Sequence, residues 1–191
     1  MQKAIVIGFL CLLTALRFYF KLKFHALWSG KAFRYEPLWL VLIRYALGIV
    51  LMSSLVLYLV ADPAPVDWRF AMPGSLIALC AIALLFATHR ALDGNFSTTI
   101  DVGKGRSLVT TGPYRLVRHP MYVAYLMFFL GLLAVSKNLA FGLSGAAIIL
   151  SLMVIRIRYE EASLLERFWE EYARYAESVP RFFPRMKGEK K

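Results

Sequence analysis

The chain of 191 residues is predicted to be all-α and integral to a membrane. The expected architecture has about five transmembrane helices, a cytoplasmic glycine-rich loop and a C-terminal amphipathic helix. Three observations carry this expectation. Hydrophobic residues make up 59% of the chain and charged residues 18%, against about half and about a quarter in soluble domains. The apolar residues fall in blocks, at 4–20, 38–61, 70–88, 121–136 and 139–155. The basic residues concentrate in alternate connecting segments.

A helix needs about 20 residues, with a range of about 17–25, to cross a bilayer. The first block has Lys3 ahead of it and Arg17 near its end, where a long side chain can snorkel to the headgroups. A cleaved leader would show a small-x-small site after it. The residues that follow are Arg17, Phe18, Tyr19, Phe20 and Lys21, so a retained span is expected. The second block is long enough to span, although Arg44 lies inside it, and Pro63 and Pro65 stop it from continuing. The third block fits. The fourth is short and borrows residues from its flanks, and the fifth is at the lower limit. These two join through Ser136–Lys137–Asn138 and predict a tight antiparallel hairpin.

The formal net charge is +11. Arg17, Lys21, Lys23, Lys31 and Arg34 lie in one connection, Arg90, Lys104, Arg106, Arg115 and Arg118 in another, and nine basic residues follow from Arg156 onward. Only Lys3, Arg69 and Lys137 fall on the opposite side. Five spans with the N-terminus outside put every basic segment in the cytoplasm, as the positive-inside bias requires. The charge is therefore a matter of topology and of attraction to anionic lipid headgroups, and no nucleic-acid partner is expected. The corresponding membrane is the cell membrane of a prokaryote or the endoplasmic reticulum of a eukaryote. Cys11 and Cys80 lie in apolar spans and are expected as buried packing residues. His25, His89 and His119 have no metal-ligand spacing, and no metal is expected.

The segment Arg90–Arg118 contains Gly94, Gly103, Gly105, Gly112 and Pro113. Polar, glycine-rich loops of this length are usually functional or disordered. After the fifth block the helix is expected to run on through Arg156–Ala176. Leu164, Leu165, Phe168, Trp169, Tyr172 and Tyr175 share one side, and Glu166, Arg167, Glu170 and Arg174 the other. Such a helix can lie on the membrane surface, or it can close its aromatic face over a site. Glu161 points into the middle of the apolar side, with Glu160 at its edge and Arg156 one turn before. A carboxylate aimed at an apolar face needs a partner or a ligand. The plain alternative is an Arg156–Glu160 or Arg158–Glu161 pair at the headgroup boundary, worth about 0.2–0.5 kcal/mol.

The most specific stretch runs from Leu108 to Tyr122: Leu108-Val109-Thr110-Thr111-Gly112-Pro113-Tyr114-Arg115-Leu116-Val117-Arg118-His119-Pro120-Met121-Tyr122. It is a Gly-Pro turn followed by two arginines and a histidine at the mouth of the fourth span. Pro120 begins that span, where its missing N–H costs nothing. A basic, aromatic interfacial belt explains Arg115 and Arg118. It explains less well why His119-Pro120-x-Tyr122 follows directly on a Gly-Pro turn.

This pattern resembles that of the isoprenylcysteine carboxyl methyltransferase family of integral-membrane methyltransferases. Asn95-Phe96-Ser97 resembles an element ahead of the motif. Arg156-x-x-x-Glu160-Glu161-x-x-Leu164, with Phe168, Glu171-Tyr172, Tyr175 and Val179-Pro180-Arg181, resembles the family's C-terminal signature. The likeness covers about 92–184 of a single polytopic domain. It implies S-adenosylmethionine as methyl donor, held on the cytoplasmic side by that part of the chain. By the resemblance, Leu108 and Val109 line the cofactor site and Ser107 adjoins it, while Arg106 stands where a histidine is familiar. Tyr114, His119 and Tyr122 touch the cofactor, with Pro120 and Met121 at the same span start. Glu160 holds the cofactor by hydrogen bonds, and Arg156 faces the methyl acceptor. The helical pattern points first to Glu161 and the resemblance to Glu160, so both are kept as candidates, with Glu160 favoured.

The expected reaction moves a methyl group to a lipophilic acceptor, foremost a prenylcysteine-like, isoprenoid or lipid carboxylate entering from the bilayer. A carboxylate is already ionised at neutral pH, and an arginine fork can orient it. Three other readings stand beside this one: a phospholipid or lipid-amine methyltransferase, an NADPH-dependent lipid reductase and a non-catalytic membrane scaffold. The sequence names neither the acceptor nor an oligomeric state.

Overall fold

A computed structural model describes residues 1–25, 38–61, 65–92 and 107–184. Asn95-Phe96-Ser97, Arg106, Pro63 and the Lys-rich end lie outside the described residues, as does most of the glycine-rich connection. The described residues form five α-helices and one 3-10 turn: α1 Gln2–His25, α2 Leu38–Val60, α3 Trp68–Leu92, the turn Gly112–Arg115, α4 Pro120–Ser136 and α5 Leu139–Ser178. The first four blocks read from the sequence each become one helix. The fifth becomes the start of a helix of 40 residues. By length and composition, Gln2–Lys23, Trp68–Leu92 and Leu139–Ser178 can cross a membrane, and Tyr45–Val60 and Pro120–Ser136 are apolar but shorter.

α4 lies at the centre, against α1, α3 and α5, and α2 packs on α5. The core forms where Leu85 and Ala81 of α3 meet Phe128 and Leu132 of α4 and Phe141 and Ile149 of α5. Val6 and Leu13 of α1 and Tyr58 of α2 close it. α3 and α4 cross where two glycines face each other. A Cβ on Gly74 would lie 2.7 Å from the Gly131 carbonyl oxygen, and a Cβ on Gly131 equally close to that of Gly74. Any side chain at either position would push the two backbones apart.

The predicted hairpin between α4 and α5 is present. Lys137 ends α4 in the left-handed region, at φ 50, with its N–H donated to the Leu133 carbonyl. Asn138 then starts α5, its side-chain oxygen accepting from the Phe141 N–H at 2.9 Å. At this same end, Gln2 Nε2 donates to the Val135 carbonyl at 2.8 Å, Lys3 Nζ to that of Leu59 at 2.8 Å, and Lys137 pairs with Asp67 at 3.3 Å. The N-terminus and both short connections thus share one end of the bundle, and the motif lies at the other.

Two expectations are corrected. Cys11 and Cys80 are exposed on the outer surface of the bundle instead of buried within it. In a bilayer an apolar side chain loses nothing by facing lipid, so apolarity does not mark the protein core. The C-terminal helix also carries a kink invisible in the periodicity, because Trp169 sits at φ 37, ψ −111 inside α5. Positive φ is costly for a bulky side chain, and it turns the last two turns of the helix in a new direction.

Candidate active site

The site is assembled from the start of α4, the C-terminal half of α5 and the strap that follows it. Gly112 opens the 3-10 turn at φ +60, with Ala91 of α3 close behind it, so glycine suits both the backbone and the space. The turn leads into Arg118 and His119. His119, ahead of Pro120, is non-helical at φ −124, ψ 56, and its backbone N–H and that of Arg118 need partners outside a helix. The strap supplies them. α5 ends at Ser178, and Val179 is extended ahead of Pro180. Arg118 N–H then donates to the Pro180 carbonyl at 2.8 Å and His119 N–H to that of Arg181 at 3.1 Å. Arg118 Nη1 also donates to the Ala176 carbonyl at 3.0 Å. The chain between α3 and α4 is thereby tied to the chain after α5.

Two consecutive carboxylates of α5 face this junction in different ways. Glu161 is the inner one. It accepts from His119 Nε2 at 3.1 Å and from Arg181 Nη2 at 2.6 Å, and it pairs with Arg118 at 3.2 Å. Burial alone would push its carboxyl up. The hydrogen bonds from His119 and Arg181 and the charge of Arg118 outweigh burial and bring it down to about 2. Glu160, 100° round the helix, accepts from the Tyr122 hydroxyl at 2.9 Å and from Arg156 Nε at 2.9 Å. Buried His119 stands between the two, with Nδ1 3.8 Å from Glu160. Since a carboxylate only accepts, His119 Nε2 carries the proton it gives to Glu161.

The aromatic face of the C-terminal helix closes over the motif. Tyr172, Tyr175 and Val179 are buried together, with Leu108, Leu164 and Phe168 packed against them. The Tyr175 hydroxyl donates to the Tyr114 carbonyl at 2.7 Å. Burial pushes the Tyr175 phenol up to about 12, against the nearby charge of Arg118. Burial also raises Tyr114, with the charge of Glu160 adding to it.

Most of the sequence candidates come together here. Tyr122, Arg156 and Glu160 form one hydrogen-bonded group, and His119 and Glu161 the next. Leu108 and Tyr114 lie under the aromatic face, and half-buried Val109 follows Leu108 in a stretch without regular secondary structure. Ser107 is exposed at the edge of that stretch. Pro120 is buried as the first residue of α4, and Met121 packs toward the helical core. Of the two plain ion pairs, Arg156–Glu160 is present, whereas Glu161 takes Arg118, His119 and Arg181 instead of Arg158. Two side chains had been given no role. Arg181 grips Glu161, and the Phe182 ring lies 6.1 Å from that of His119. The signal was Val179-Pro180-Arg181, a helix stop followed by a cation. Among the described residues, no group of three His, Cys, Asp or Glu side chains is placed to hold a metal ion.

The architecture defines a class. It matches a solved structure of the eukaryotic intramembrane Ras methyltransferase, isoprenylcysteine carboxyl methyltransferase, with a TM-score of 0.63 at 17% identity, over 99% of this chain and 69% of that one. At that identity the match speaks for the fold. The family follows from sequence: residues 68–171 match the model of the phospholipid methyltransferase family, and the chain belongs to that family. It is 31% identical over 156 residues to the nickel-cobalt-cadmium resistance protein NccN of Alcaligenes xylosoxydans xylosoxydans, covering 79% of this chain and 70% of that protein. It is 41% identical over 83 residues to the cobalt-zinc-cadmium resistance protein CzcN of Cupriavidus metallidurans, covering 44% of this chain and 38% of that one. It is 31% identical over 127 residues to human protein-S-isoprenylcysteine O-methyltransferase, covering 65% of this chain and 44% of that one. The matched part is thus less than half the length of the last two relatives. The resemblance to the isoprenylcysteine carboxyl methyltransferases read from the motif is borne out.

Proposed function

We propose that the chain is a membrane-embedded methyltransferase. It moves a methyl group from S-adenosylmethionine to a lipophilic carboxylate, of the prenylcysteine, isoprenoid or lipid-acid kind, at the cytoplasmic face of its membrane. The observation that carries this reading is the Tyr122–Glu160–Arg156 group, set where α5 leaves its apolar stretch. The basic segments support the cytoplasmic placement, and the cofactor-binding part is residues 92–184.

The residues present suit the cofactor. S-adenosylmethionine offers hydroxyl and ammonium donors, which a carboxylate such as Glu160 accepts. Its adenine ring suits an apolar and aromatic wall, which Leu108, Tyr175 and Tyr172 provide. The backbone of Leu108–Thr110 makes no hydrogen bond with another described residue, so its polar groups can meet the edge of such a ring. Bound there, S-adenosylmethionine would supply an electrophilic sulfonium methyl group.

The protein's own contribution is alignment. Tyr122 and Arg156 fix the Glu160 carboxylate. His119 is fixed by Glu161 and by Phe182, so the wall between the two carboxylates cannot drift. The aromatic face of α5 excludes water. Arg156 orients an acceptor carboxylate arriving from the lipid side, since a guanidinium matches that group in planar geometry. Proximity supplies much of the acceleration, up to about 7–11 kcal/mol in favourable cases.

A lipid-amine acceptor is the second reading, favoured by the description of the family model. An amine must lose a proton, and Arg156 is a poor base. Purified protein in nanodiscs, given isotopically labelled S-adenosylmethionine, tests both readings. A farnesylated cysteine, a fatty acid and phosphatidylethanolamine are offered separately, and products are read by mass spectrometry. Label in a carboxylate ester is the expected result. Label confined to the amine supports the second reading, and label in none of the three overturns the first.

A further inference from the structure

Among the exposed residues of α5, six form one line along its length. Leu143, Leu150, Val154, Arg158, Leu165 and Trp169 are all exposed and recur one or two helical turns apart. Up to about residue 155 this is the lipid-facing side of the span. The same line then continues without a change of register along the cytoplasmic half of the helix. It ends at Trp169, which is 69% exposed at the kink. Glu161, Leu164 and Phe168 face the site from about 100° round the helix, so Leu165 and Trp169 turn away from the side on which the apolar spacing had grouped them with Leu164 and Phe168.

We propose that the outer face of α5 from Arg158 to Trp169 stays against lipid through the cytoplasmic leaflet, from the inner hydrocarbon to the headgroup–water boundary, with the Trp169 indole as its interfacial anchor. The helix is then held between the bilayer on one side and the site on the other. Length supports this. From Lys137, at the far end of the span, to Trp169 the helix measures about 48 Å at 1.5 Å per residue. A tilt of about 20°, the average for transmembrane helices, brings this to about 45 Å across the membrane. A bilayer with its headgroups is about 40–45 Å thick. Trp169 therefore falls at the headgroup–water boundary, where tryptophan is enriched because its ring is apolar and its N–H polar.

Arg158 decides between lipid and a second copy of the chain. It makes no ion pair with another described residue. A helix packed along this line would bury an unpaired guanidinium, which is expensive. In a bilayer the same side chain lies about 30 Å across from Lys137, in the inner part of the hydrocarbon about 7 Å short of its edge, and reaches the phosphates by snorkelling. The positive φ of Trp169 fits the same account. Strained residues persist where their surroundings over-determine them, and here the indole is fixed from outside while Tyr172 and Tyr175 are fixed from inside.

The test uses the full chain in nanodiscs, with Trp28, Trp39 and Trp68 replaced by phenylalanine so that Trp169 alone emits. Lipids brominated close to the headgroup should lower its emission about twofold or more, and lipids brominated near the chain end should lower it less. Aqueous iodide should quench it only weakly. If the threefold variant fails to fold, the difference in emission between the native chain and Trp169→Phe gives the same reading. Emission untouched by either brominated lipid, and quenched by iodide as in free tryptophan amide, would overturn the proposal. A Leu165→Cys variant that cross-links to a second copy in high yield would also overturn it, by putting protein where lipid is proposed.

Discussion

Arg181 reaches back twenty residues to grip Glu161 with two nitrogens, Nη2 to Oε2 at 2.6 Å and Nε to Oε1 at 3.1 Å. The pair joins the strap after α5 to the helix it has just left. The strap also takes the backbone N–H groups of Arg118 and His119. One ion pair therefore helps to hold together the segment before α4, the middle of α5 and the chain that follows it.

Arg181→Ala should loosen this junction. The arginine is half exposed, so screening limits its contribution to about 1 kcal/mol. For a chain of this size that is a fall in melting temperature of about 2–4 °C. S-adenosylmethionine affinity, measured by calorimetry in nanodiscs, should fall as well, because His119 loses part of its support. Arg181→Lys should recover part of the melting temperature. Full recovery with lysine would mean that only the charge matters and not the two-nitrogen geometry.

Acid should act first through Glu161. Its carboxyl titrates at about 2 in the folded chain, against an ordinary value of 4.5. The folded state therefore binds the proton more weakly than the unfolded state. The stabilisation is fully present above about pH 4.5 and is lost as pH falls from there toward about 2, amounting to about 2–3 kcal/mol. Melting curves of the native chain and of Glu161→Gln across this window check it. The native curve should approach that of the variant at the acid end. Parallel curves would show that other carboxylates govern the acid transition.

Glu160→Gln should act on the cofactor more than on the fold. Replacing a charged acceptor by a neutral one should cost about 1.5–3 kcal/mol of S-adenosylmethionine binding, roughly ten- to a hundredfold in affinity. Tyr122→Phe removes the hydroxyl that holds Glu160 and should weaken binding less. Calorimetry on both variants decides. Unchanged affinity in Glu160→Gln would shift the cofactor contact to Glu161.

Arg156→Ala separates chemistry from binding. Turnover should largely vanish while S-adenosylmethionine affinity stays within a few-fold, because misaligned reactants forfeit the proximity advantage. Arg156→Lys should restore turnover only in part, since a point charge does not reproduce the planar fork. The ion pair to Glu160 sets the competing outcome. If that pair is the whole role, lysine restores full activity and alanine chiefly lowers the melting temperature. Cofactor affinity, turnover and melting temperature measured on the same three proteins distinguish the two accounts.

The sequence carried the helices well because apolar block length and proline position are local signals. Pro120 marked the start of α4, and Ser136–Lys137–Asn138 marked the hairpin, to the residue. The inward aim of Glu161 was legible from helical angles, and the structure surrounds that position with Arg118, Arg181 and the His119 ring. The partners themselves were not legible. Arg118 and Arg181 come from segments without periodicity, and their meeting depends on where the strap passes. The kink at Trp169 was hidden because a single positive φ leaves the apolar spacing before it intact. Cys11 and Cys80 were misplaced for a different reason: lipid and protein core accept the same side chains.

The unbroken stretch of α5 from Asn138 to Glu161 has a consequence for how such a chain can evolve. Asn138 fixes the start of the helix, and Glu160 and Glu161 face different partners because they are one residue apart on it. Adding or deleting one residue anywhere between Asn138 and Arg156 would swing both carboxylates by about 100° around the axis. Glu161 would leave its cations and Glu160 would leave Tyr122. Apolar substitutions within the span change neither angle. Natural variation in this stretch should therefore be free in composition at its lipid-facing positions, held at Gly142 and Gly145, where a Cβ would meet Leu133 and Phe129, and locked in length throughout.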